Sequence, residues 1–94
     1  MDLRLKKFLN QLTIRDEEIT QLIEMFPSLE YADYNNAVQC VKTVIDFGVS
    51  IFDISFLIYA NPMFMLNDPK DIKNTLSDIS GDVEETLKSN PYII

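Results

Sequence analysis

A single cysteine, fifteen carboxylic acids and no histidine bound the chemistry open to this 94-residue chain. Cys40 has no second cysteine to pair with and no imidazole to activate it, so it reads as a small apolar residue in a reducing compartment. Zinc sites built on histidine and cysteine, and triads that use imidazole, are excluded on the same ground. With only Gly48 and Gly81, no glycine-rich phosphate loop can be written. Acid pairs exist, as Asp16 with Glu17 and Glu84 with Glu85, but each falls where a helix would begin, and complementing the helix dipole already accounts for it. The acid-rich SDISGDVEE lacks the alternating ligand order of an EF-hand loop. The chain is therefore read as no enzyme, without cofactor or metal.

The remaining candidates are contacts. Arg4, Lys6, Lys7 and Arg15 stand against one acid, Asp2, in residues 1–15, and form a candidate weak nucleic-acid contact; Lys70 and Lys73 lie further along. Residues 16–94 carry four lysines against fourteen acids, a field that repels phosphates and anionic lipid. Tyr92, Ile93 and Ile94 are a candidate interface, unless they fold back as a cap. A protein partner or a second copy is the expected ligand. No membrane association is expected: the longest uncharged run, Ile54 to Asn67, is 14 residues with a proline inside, where about 20 are needed to span a bilayer. The amino terminus has no apolar run of the signal-peptide kind, and a soluble, cytoplasmic protein is expected.

These residues must be positioned by helices. Leu5, Phe8, Leu9 and Leu12 form an amphipathic stripe in a first helix. Thr13 is expected to cap a second, with Ile19, Leu22, Ile23 and Phe26 inward and Pro27 as its stop. Asp33 caps a third that ends before Gly48, where a left-handed residue is wanted. Ser50 caps a fourth, stopped by Pro62. Ile54, Leu57 and Ile58 make one apolar face of it and Phe52, Phe56 and Tyr59 another, so burial from two sides is expected. Asp68 caps a fifth, closed by Gly81, and Asp82 starts a short sixth, ended by Pro91.

Aligned on Pro27, Pro62 and Pro91, the chain repeats itself. Eight residues before them stand Ile19, Ile54 and Val83; four before, Ile23, Ile58 and Leu87; two after, Leu29, Phe64 and Ile93. The expected fold is all-α, a short stacked helical repeat of α-solenoid type with about six helices and two and a half repeats. One domain covers 1–94: a capping helix at 1–12, repeats at 13–48 and 49–81, and a partial repeat at 82–94. Its structural positions are Pro27, Gly48, Ser50, Pro62, Asp68, Gly81 and Pro91.

The segment FGVSIFDISFLIYANPMFMLNDPKDIKNTL resembles the repeats of the mitochondrial transcription termination factor (mTERF) family. In those repeats a Gly-x-Ser turn opens a helix that ends in Pro-x-hydrophobic-Leu before a second helix. Gly48, Ser50, Ile54, Ile58, Pro62, Phe64 and Leu66 fall on that pattern. The resemblance implies a left-handed superhelix and nucleic-acid binding in transcription. The acidic body favours the other expectation, a small non-catalytic module that binds another protein or itself.

Overall fold

The computed structural model describes all residues 1–94. Six α-helices form: α1 (Leu3–Gln11), α2 (Asp16–Met25), α3 (Tyr34–Asp46), α4 (Ile51–Ala60), α5 (Pro69–Ser77) and α6 (Val83–Ser89), with no strand. Side chains cap most of their starts. Asp2, Asp33, Ser50, Asp68 and Asp82 accept backbone N–H bonds at the first turns of α1, α3, α4, α5 and α6. Gly48 and Gly81 take φ of +92° and +106°, which lets the chain leave α3 and enter α6 without a Cβ penalty.

The three prolines act alike. Each lacks the N–H that would continue the helix ladder, and each opens a 3-10 turn: Pro27–Tyr31, Pro62–Leu66 and Pro91–Ile93. A proline also restricts the residue before it. Phe26, Asn61 and Asn90 accordingly share one backbone geometry, with φ of −132°, −146° and −143° and ψ of 79°, 69° and 85°. Leu29 and Phe64, two residues past their prolines, are fully buried. Ile93, at the matching place, is 37% exposed. Its turn is three residues long instead of five.

A second departure concerns Thr13. It does not cap α2, which begins at Asp16, with the Glu18 carboxylate accepting the Arg15 N–H at 3.0 Å. Thr13 instead ends α1 in the left-handed region, at φ +69°. Its N–H bonds the Asn10 carbonyl (3.0 Å) and that of Ile14 bonds the Leu9 carbonyl (3.1 Å), the paired bonds of a Schellman close. This tight reversal puts Leu12 and Ile14 both in the core.

The third correction is the largest. The fourth helix was expected to be buried from two sides, but α3 holds the centre. Ala37, Val38, Cys40, Val41 and Val44 are buried on it, and it packs against α1, α4, α5 and the second 3-10 turn. On α4, Ile54, Leu57 and Ile58 enter the core, while Phe52 and Phe56 are 84% and 49% exposed. That second face is only flanked, by α6 beside Phe56 and by Glu18 of α2 at Tyr59, and Phe52 stays open. The helices form a compact body with a radius of gyration of 12.4 Å, the value expected for a globular chain of this length. None is long and apolar enough to cross a membrane.

Asparagines join the 3-10 turns across the fold. Asn36 Nδ2 donates to the carbonyls of Met65 (3.2 Å) and Asn67 (2.9 Å), on and after the second turn. Asn61 and Asn67 donate in the same way to Pro91 (3.0 Å) and Ile94 (3.1 Å), at the third. Turn carbonyls cannot all be satisfied within so short a helix, and these amides supply the missing donors.

Candidate interaction surface

Helix geometry creates the most prominent surface feature. At 100° per residue, Phe52, Phe56 and Tyr59 fall within about 60° of one another, on one stripe of α4. Ile54, Leu57 and Ile58 fall on the opposite side, which faces the core. The helix start is fixed by Ser50, whose hydroxyl accepts the Asp53 N–H at 3.3 Å. Ser50 in turn donates its own N–H to Glu84 Oε2 at 2.6 Å, tying α4 to α6. On the same flank Lys88 Nζ lies 3.8 Å from Asp53. Between Phe56, Leu57 and Leu87 there is no room for a water molecule, so α6 seals that edge.

The other flank is held by hydroxyls. Ser55 donates to the Leu12 carbonyl at 2.5 Å, a buried bond between α4 and the end of α1. Tyr59 Oη donates to Glu18 Oε2 at 2.5 Å, reaching α2 at the surface. That bond, the Arg15 N–H and the Arg15 guanidinium hold the Glu18 carboxyl down at about 2. Burial and the same carboxylate push the Tyr59 phenol up to about 12. The aromatic ridge is therefore mounted rigidly, on polar contacts along both sides.

The residues singled out from sequence lie elsewhere. Arg4 is bound to Asp2 (2.8 Å) and stacks over the Tyr34 ring at 4.6 Å. Lys6 stands 3.9 Å from Asp16, and Arg15 3.1 Å from Glu18. Only Lys7 of the four cations has no acid partner. Tyr92 is 70% exposed beside Ile93, whereas Ile94 packs on the core with its carbonyl bonded to Asn67. Pro27, Pro62 and Pro91 open the turns already described; Gly48, Ser50, Asp68 and Gly81 serve as helix ends.

Groups suited to catalysis do not converge. The Cys40 thiol is buried, donates to the Asn67 carbonyl (3.2 Å), and burial with the nearby Asp68 charge pushes it up to about 11. At neutral pH it stays a thiol. Glu84 is lowered by the Ser50 N–H and Glu18 as above, the opposite of what a general acid at neutral pH requires. The larger concavities are open to solvent: one of about 640 Å³ near Tyr31, Asn36 and Asn67, another of about 570 Å³ at the α1–α2 corner. No group of three or more His, Cys, Asp or Glu side chains gathers at one point.

The Phe52–Phe56–Tyr59 face was legible in the sequence as apolar, but it was expected inside the fold and not at its surface. Helix α4 is apolar all round apart from Asp53 and Ser55. Such a helix is covered twice, either by its own chain or by another. Comparison with models of known protein families, with curated proteins and with solved structures finds no match for this chain.

Proposed function

We propose that this chain is a non-catalytic interaction module that receives a helical segment of another protein on the Phe52–Phe56–Tyr59 ridge. The observation that carries the proposal is Phe52, 84% exposed in the first turn of a helix whose other face is core. Burying such a side chain is worth about 1.5–3 kcal/mol, which the isolated fold forgoes. A contiguous apolar patch with polar groups on its rim marks an interaction site more often than ordinary surface. A stripe spaced at i, i+4 and i+7 is the apolar seam along which one helix packs against another, as in a zipper.

The architecture suited to this role is a stack of two-helix units, α2 with α3 and α4 with α5, followed by α6 as the start of a third. The shared backbone geometry before the three prolines and the asparagine links between turns support that arrangement. The likeness to mTERF repeats would add a nucleic-acid role. Three of the four amino-terminal cations are occupied by acids, and a phosphate would have to displace them.

A photoreactive residue placed at position 52 in the native host tests the proposal. A discrete adduct with one other polypeptide is expected from position 52, absent from the exposed control position Lys42 and lost in a Phe56→Ser background. Absence of any adduct, or an adduct only between two copies of the chain, contradicts the proposal.

A further inference from the structure

We infer that the segment docking on α4 is a cationic amphipathic helix, with an apolar stripe for the ridge and lysines or arginines for its rim. The inference rests on the reading of the ridge as a docking face. Two independent features of the molecule point to this occupant.

The first is charge. Carboxylates border the ridge on both sides: Glu18 bonded to Tyr59, and Asp53 with Glu84 next to Phe56. Two cations already stand at this rim, Arg15 at 3.1 Å from Glu18 and Lys88 near Asp53, against three carboxylates, and each carboxylate keeps spare acceptor capacity, with about four lone-pair sites of which one to three are used. The Lys88 contact with Asp53, at 3.8 Å, is loose and easily replaced. The chain carries −7 overall. A cationic segment is steered toward this face, while an acidic one, or a second copy of the chain, meets like charge.

The second is area. The exposed parts of Phe52, Phe56 and Tyr59 amount to roughly 350 Å², taking 150–250 Å² for a whole aromatic side chain. A stable globular dimer needs about 800 Å² from each partner. The ridge is less than half that, and from Phe52 to Tyr59 it runs about 10 Å along the helix axis. Those dimensions suit two to three turns of a single helix.

The test uses the full chain, isotopically labelled, titrated by NMR with two synthetic helical peptides. They share one leucine stripe; one carries a lysine and arginine polar face, the other a glutamate face. The cationic peptide is expected to shift resonances of Phe52, Phe56 and Tyr59, to bind about tenfold or more tighter than the acidic one, and to weaken as salt rises. Equal affinity for both peptides at the ridge overturns the charge inference and leaves the docking face standing. If the cationic peptide moves no ridge resonance, the inference is wrong, and the photo-adduct at position 52 then decides independently whether the docking face survives. A concentration-dependent dimer in light scattering, abolished by Phe52→Ser, overturns both.

Discussion

The phenol of Tyr59 donates a 2.5 Å hydrogen bond to the Glu18 carboxylate, joining α4 to α2 across the protein surface. This contact sets one edge of the aromatic ridge, and it makes a pH dependence that can be read in the folded state.

The sign follows from the direction of each shift. Glu18 is held at about 2 against an ordinary 4.5, so its contribution is fully present above 4.5 and lost as pH falls toward 2. Tyr59 is raised to about 12 from 10, so its contribution is present below 10 and lost as pH rises through 12. Tyr59→Phe is expected to lower Tm at pH 7. The difference from the unsubstituted protein should shrink below pH 4.5 and again above pH 10. A difference constant from pH 2 to 7 would mean that the bond does not form in solution.

Asn36 gives a second prediction. Its amide serves two carbonyls of the second 3-10 turn, 29 and 31 residues away. Asn36→Ala should destabilise by about 1–3 kcal/mol in urea titration, since it takes the amide donor from the part-buried Met65 carbonyl and leaves the Asn67 carbonyl with only the Cys40 thiol. The neighbouring Asn35 is exposed on the same helix, and Asn35→Ala should stay within about 0.5 kcal/mol. Helix propensity changes alike in both, so the comparison isolates the amide. Equal effects would remove the asparagine links from the account.

Thr13 predicts a gain. A β-branched residue at φ +69° is strained by about 1–2 kcal/mol, part of which glycine gives back as unfolded-state entropy. Thr13→Gly should therefore stabilise by about 0.5–1 kcal/mol and raise Tm by a few degrees. A lower Tm would show that the Thr13 hydroxyl, 3.4 Å from Ser55 Oγ, matters more than the backbone strain.

What could be read from sequence divides along physical lines. Prolines and glycines restrict or release single dihedral angles, so Pro27, Pro62, Gly48 and Gly81 announce their places without knowledge of the rest. The stripes of α1, α2 and α5 were readable because each has one apolar face and one polar face. Helix α4 was not, because periodicity shows that two faces are apolar and is silent on which is covered. Asn36, Asn61 and Asn67 carry no local signature: their partners lie 27 to 31 residues away. Thr13 broke the expectation that threonine before an acidic turn is a cap, because closing α1 on Leu12 and Ile14 outweighed its preference.

The claim beneath the whole account is that α4 has one face for the fold and one face for a partner. Urea titration of Phe52→Ser beside Leu57→Ala tests it most directly. Leu57→Ala should cost about 2–5 kcal/mol, and Phe52→Ser should stay within about 0.5 kcal/mol of the unsubstituted protein. A loss of more than about 2 kcal/mol from Phe52→Ser would place the ridge inside the fold and contradict the account.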